Sequence, residues 1–151
     1  MKKIRYILIS LVALLLVTGC GSKNANSTLT CTKEQEDTGM KISEKHVMTF
    51  ENDKVSLVDL KIDFVADDEN VKTNWDSIVE ILNQQFVYDD YEGVEFSKSS
   101  TSDSYTWALK VDLNKVSDEA LDALDLNDVA DSNEKYDDVK KDFEADGYTC
   151  K

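Results

Sequence analysis

From Tyr105 to Leu113 the apolar residues fall on every second position: Tyr105, Trp107, Leu109, Val111 and Leu113, with Thr106, Ala108, Lys110 and Asp112 between them. A strand points successive side chains to opposite faces, so this run predicts a strand with one face on a core and one toward water. The same period of two runs through Met40, Ile42, His46, Met48 and Phe50, and again through Val58, Leu60, Ile62 and Phe64. Glu51-Asn52-Asp53-Lys54 separates the two runs with turn-forming residues, which predicts an antiparallel hairpin. Shorter strands are expected at Leu29–Thr32, at Val94 and Phe96, and at Tyr148–Cys150, with a polar turn over Ser97–Ser104. Elsewhere the period changes to that of a helix. Trp75, Ile78, Val79, Leu82 and Phe86 predict a helix over roughly residues 74–90. Thr73 would cap it, with Asp76 three residues on, and Glu92-Gly93 would stop it. Ser117 caps a short helix through Leu124, with Asp118 and Glu119 near its positive end. Tyr136, Val139 and Phe143 mark another helix that Gly147 ends. These elements predict an α+β fold: a two-layer sandwich, with a mainly antiparallel sheet and helices packed on one face.

Residues 1–19 have a different texture. Lys2, Lys3 and Arg5 precede a run from Tyr6 to Val17 that is apolar apart from Ser10, and Thr18-Gly19 closes it with small residues. Such a tripartite segment reads as an export signal. The apolar run is about twelve residues, short of the roughly 20 that a spanning helix needs. Leu16-Val17-Thr18-Gly19-Cys20 resembles the lipobox of bacterial lipoproteins. The resemblance implies a signal peptide over 1–19 and a diacylglyceryl group on Cys20, which becomes the new N-terminus. It implies a lipid-anchored protein on the extracytoplasmic face of the cell membrane. One acyl chain binds reversibly and two bind stably, at about 0.8 kcal/mol per buried CH₂. Residues 20–28 then form the lipidated cysteine and a small, polar tether, and residues 29–151 a single domain.

Composition refines this picture. The formal charge is −14 over 151 residues, and removal of Lys2, Lys3 and Arg5 with the signal takes it to −17. A domain so acidic is repelled by nucleic acid, and the partner that charge favours is a basic protein or peptide. The same charge also serves solubility alone. Three cysteines are an odd number, which the lipobox explains by consuming Cys20. Cys31 and Cys150 remain, permit one pairing, and sit in an oxidising compartment if the signal is read correctly. A disulfide there closes a loop of more than a hundred residues, for which chain entropy gives roughly 4–5 kcal/mol.

No constellation in the chain points to catalysis, so an enzyme is not expected. His46 is the only histidine and falls in step with apolar strand positions, which reads as a structural or merely semi-exposed strand histidine. Residues 112–146 hold thirteen Asp and Glu against four Lys, with Asp118, Asp122, Asp125 and Asp128 at helical spacing. Calcium would suit such oxygens. The best EF-hand register, from Asp125 and Asn127, fails at Val129, Ala130 and Tyr136, so a solvated helix face is expected and no metal site. Trp75 and Trp107 read as core, one from a helix and one from the sheet. No motif for a phosphate, a cofactor or a serine nucleophile occurs.

Phe50-Glu51-Asn52-Asp53-Lys54-Val55, the helix leading to Tyr91-Glu92-Gly93-Val94-Glu95, and Tyr105 through Asp112-Leu113-Asn114-Lys115-Val116 together resemble the YehR-like family of small bacterial lipoproteins of unknown function. The resemblance implies the same α+β two-layer fold and brings no catalytic residues with it. The function expected from the sequence is a non-enzymatic, membrane-anchored surface lipoprotein that binds a protein or peptide. A small-ligand or cation carrier is the alternative, and a concave pocket in the fold would favour it.

Overall fold

A computed structural model describes residues 26–85, 91–124, 126, 129 and 135–151. The expected signal segment, Cys20 and the first part of the tether lie outside the described residues, as do the last residues of the helix expected to reach 90. The elements in chain order are β1 (Ser27–Asp37), β2 (Met40–Glu51), β3 (Lys54–Ala66), α1 (Glu69–Thr73), α2 (Trp75–Gln85), β4 (Val94–Ser100), β5 (Ser104–Asp112), α3 (Asp118–Ala123), α4 (Tyr136–Ala145) and β6 (Thr149–Cys150). The strands form one six-stranded sheet in the order β4-β5-β3-β2-β1-β6. Every pairing is antiparallel. The fold is therefore α+β, as the alternation predicts.

Two tight turns build the long hairpins. Thr38 and Gly39 join β1 to β2 with φ of 46° and 82°, and Asn52 and Asp53 join β2 to β3 with φ of 54° and 65°. Two consecutive positive φ values give the turn whose twist matches paired strands. At Gly39 the need for glycine is double. Its carbonyl accepts from the backbone N–H of Asp67 and Asp68, and a Cβ there would lie 2.6 Å from the Asp68 Cβ.

The register aligns side chains in rows across the inner face. One row runs through all six strands: Phe96, Leu109, Leu60, His46, Cys31 and Cys150. Two apolar cores flank it. Trp75 and Leu82 of α2 pack on Tyr105, Trp107, Leu109 and Val111 of β5. Val139 of α4 packs on Leu29, Cys31, Met48, Phe50 and Val58. Trp75 and Trp107 are both buried, as expected, and the Trp75 Nε1–H donates to the Thr101 carbonyl at 3.1 Å. On the opposite face Thr106, Ala108, Lys110 and Asp112 are half-buried.

Several boundaries differ from expectation, each for a local reason. The first strand is eleven residues long, starts within the expected tether at Ser27, and runs on through the polar segment Lys33–Asp37. That segment carries no apolar alternation because the ladder to β2, and not burial, holds it. Thr73 does not cap α2. Its hydroxyl donates back to the Glu69 carbonyl, while Asp68, in extended backbone, caps α1 by accepting from the Asn70 N–H at 2.7 Å. Ser97–Ser100 belong to β4 and pair with β5, so the turn shrinks to residues 101–103. The cap at Ser117 is as expected: its Oγ accepts from the Ala120 N–H at 3.3 Å. Gly147 follows α4 with φ of 88°.

Candidate ligand pocket

Between the two cores lies a cavity of about 360 Å³. Its floor is the inner face of β2, β3 and β5, where Met48, Val58, Leu60 and Leu109 point inward by strand alternation. One wall comes from α4, where Val139 and Phe143 are four residues apart and so share a helix face. Leu124, Leu126 and Val129 line it from the connection between α3 and α4. Almost all of these groups are aliphatic or aromatic, so the space suits an apolar body.

His46 and Asp142 are the polar side chains in this lining. His46 stands on the floor, opposite Cys31 on one neighbouring strand and Leu60 on the other. Its ring meets Phe143 edge-on at 4.9 Å and Tyr148 at 5.2 Å. Phe143 and Tyr148 meet each other at 5.0 Å, so the three rings form one cluster. The His46 Nε2 is buried without a hydrogen-bond partner among the described residues. It lies 3.8 Å from Glu44 Oε2, and both side chains are 20% exposed. Burial holds the His46 pKa below its ordinary value, against the upward pull of Glu44, so the imidazole is neutral at neutral pH. Glu44 accepts a hydrogen bond from the Tyr148 hydroxyl. Burial first, and that bond second, push the Tyr148 pKa well above its ordinary value.

The chain's closure sets this polar end. Cys31 and Cys150 are paired in register and their sulfurs are 2.01 Å apart, at disulfide bonding distance. Thr30 and Lys151 exchange both backbone hydrogen bonds at 3.0 Å, which leaves the cysteines at the close, non-hydrogen-bonded position with Cα atoms 4.1 Å apart. Gly147 turns the chain out of α4, and Tyr148 lands over His46 two residues before Cys150. Lys33 Nζ sits 5.1 Å from the Tyr148 ring centroid and donates to the Asp146 carbonyl at 3.0 Å.

His46, read from the sequence as a structural or semi-exposed strand histidine, thus borders the cavity. Trp107 borders it from the core, while Trp75 does not line it. The acidic residues Asp118 and Asp122 lie on α3, and Asp125 and Asp128 lie outside the described residues. Among the described residues no group of three or more His, Cys, Asp and Glu is placed to hold a metal ion. Sequence reasoning missed Glu44, Tyr148 and Asp142. The signal for Glu44 was present: it shares the parity of Ile42, His46 and Met48, a carboxylate on the face otherwise given to the core. Among the described residues no helix is long and apolar enough to cross a membrane.

The backbone is similar to that of a protein from Streptococcus pneumoniae TIGR4, with a TM-score of 0.52 and 14% identity over 89% of this chain and 90% of that one. It is also similar to the YehR protein of Escherichia coli, with a TM-score of 0.55 and 16% identity over 85% of this chain and 93% of that one. Both are NMR structures. At these identities the likeness shows the fold, which is the YehR-like architecture expected from the sequence. No family model and no curated protein matches the chain.

Proposed function

We propose that this is a non-enzymatic, membrane-anchored carrier domain that binds a small apolar molecule in the cavity between its two cores. The cavity carries the reading. Its volume of about 360 Å³ falls in the roughly 300–1,000 Å³ range of ligand sites, and its lining among the described residues is apolar apart from His46 and Asp142. A basic protein or peptide partner draws support from charge, whereas a carrier draws it from a shaped site. The anchor draws its support from the tripartite segment 1–19 and Cys20. The domain begins at Ser27, seven residues beyond Cys20, so an extended tether holds it within about 25 Å of a lipid there. Met48, Val55 and Val58 place the cavity floor toward the end of the sheet at which Ser27 enters. A lipid anchor would therefore keep the site near the membrane surface.

The test uses the full chain in phosphatidylcholine vesicles and follows tryptophan emission while hexanol is added. Trp107 lines the cavity, so a saturable change that disappears in Trp107→Phe reports filling. Val58→Phe with Leu60→Phe puts two rings across the floor and is expected to weaken binding at least fivefold. Unsaturable response, or equal response in the blocked variant, would overturn the carrier reading. Separately, Cys20→Ser should abolish metabolic fatty-acid labelling, and persistent labelling would remove the anchor.

A further inference from the structure

We infer that the open edge of β1 takes an extended basic peptide, with Lys or Arg at alternate positions, as an added antiparallel strand in line with β6. The site is separate from the cavity, so the carrier reading stands or falls without it. β6 pairs with Cys31 and Thr32, and β1 runs on for five more residues, Lys33 to Asp37. Thr30 exchanges its backbone hydrogen bonds with Lys151, and every second residue of a strand turns the same way. The N–H and C=O of Glu34 and Glu36 therefore point out of the sheet edge. Among the described residues no backbone group pairs with them there, and Glu34 to Asp37 are all exposed. A row of unpaired backbone groups is a template for another strand. Charge decides which strand. Both open positions carry a carboxylate, so a second copy of β1 would set Glu opposite Glu in every antiparallel register that pairs the two open stretches, and like charges directly opposite destabilise. A basic residue opposite each glutamate is the complement. Among the described residues no ion pair reaches either carboxylate: Lys41, opposite Glu36, pairs with Asp67 at 3.1 Å. Beside them a depression of about 360 Å³ opens on the outer sheet face, bordered by Glu34, Glu36, Lys41, Ser43 and Val65. Strand addition draws affinity from main-chain bonds and specificity from pockets for alternate side chains. The depression borders the face on which the residues opposite Glu34 and Glu36 would stand.

The probe is fluorescein-labelled Val-Lys-Thr-Lys-Val, titrated by anisotropy into the full chain in phosphatidylcholine vesicles, whose headgroups carry no net charge. Amide hydrogen exchange over Lys33–Asp37 is followed alongside. Saturable binding that slows exchange in that segment is expected. Glu34→Gln with Glu36→Gln keeps two exposed polar side chains and should weaken binding about tenfold. Glu80→Gln with Glu119→Gln, on α2 and α3, removes the same charge from exposed positions and should leave binding unchanged. Methylating the backbone nitrogens of both probe lysines keeps their charge but removes the bonds to the Glu34 and Glu36 carbonyls, and should weaken binding about tenfold. Val-Thr-Lys-Lys-Val, which turns its lysines to opposite faces, should also bind more weakly. No saturable binding, binding without slowed exchange, or equal binding of the methylated probe would overturn the inference. So would a loss in Glu80→Gln with Glu119→Gln as full as at β1, because the attraction would then belong to the overall charge. Exchange over Lys33–Asp37 that slows with protein concentration and no peptide would give the edge to a second copy and overturn it too.

Discussion

Removing the Cys31–Cys150 link offers the largest single perturbation. Replacing both residues by serine leaves no stray thiol and changes little volume. The link spans 119 residues of sequence, nearly the whole folded domain. In the chain-entropy model a closed loop of that length restricts the denatured chain by roughly 4–5 kcal/mol at 25 °C. Native contacts of β6 are few: two residues pair with β1, supported by the Thr30–Lys151 hydrogen bonds. Against a typical total stability of about 5–15 kcal/mol, the loss leaves a marginal domain. Urea denaturation of a soluble chain starting at Gly21 measures it. The double variant should unfold at a much lower midpoint and with a steeper dependence on urea, because its denatured state exposes more surface. The steeper slope separates an effect on the unfolded chain from lost native contacts. If the variant loses less than about 1 kcal/mol, β6 frays independently of the rest, and the link closes no cooperative unit.

Three smaller changes probe other joints. Gly39→Ala combines a φ of 82° with a Cβ 2.6 Å from that of Asp68, and should cost about 1–3 kcal/mol, read as a fall of several degrees in Tm. Ser117→Ala removes the N-cap of α3 and should cost about 0.5–2 kcal/mol by urea midpoint. His46 sets a pH dependence whose sign is fixed by burial. Its folded pKa lies below 6.5, so the unfolded chain binds more protons, and stability falls as pH drops below 6.5 through the folded value. Asp68, lowered by the Asn70 backbone N–H, and Asp112, lowered by Lys115, act in a lower window. Their contribution is present above pH 3.8 and is lost below it. His46→Gln should remove the upper slope alone, and an imidazole NMR resonance titrating at or above 6.5 would contradict the burial argument.

Legibility followed burial. Tyr105–Leu113 reads as a strand because one face packs under α2 and the other stays half-exposed, which writes a period of two into the residues themselves. Lys33–Asp37 carries no such record. It is a strand through its backbone pairing to β2, and side chains under no burial pressure have no reason to alternate. Thr73 misled because capping chemistry is local and repeated: Asp68, Thr73 and Asn74 all have suitable side chains, and the break between α1 and α2 decides which one is used. The site was less visible still. Glu44 and His46 share a strand face, but Tyr148 reaches them only after Gly147 reverses the chain and Cys150 pins its end. Proximity across more than a hundred residues leaves no spacing to read. The cysteine pair was the exception, since with Cys20 set aside as an expected lipid site the two remaining cysteines permit a single pairing.

The cavity lies between the two helices that cover opposite ends of the inner sheet face. α2 covers β5 and α4 covers β1 and β2, so the middle of the row through Leu109, Leu60 and His46 lies between them. This predicts unequal costs for the same truncation. Leu29 is fully buried in the core under α4, while Leu60 already faces empty volume. Leu29→Ala leaves a new void walled by packed side chains and should cost about 2–5 kcal/mol. Leu60→Ala removes the same atoms, but their neighbours on the cavity side are absent already, so its cost should stay near or below the bottom of that range. Urea midpoints of the two variants decide it. Equal losses would mean that Leu60 is packed on every side in solution, and the space assigned to a ligand would be filled by the protein's own residues.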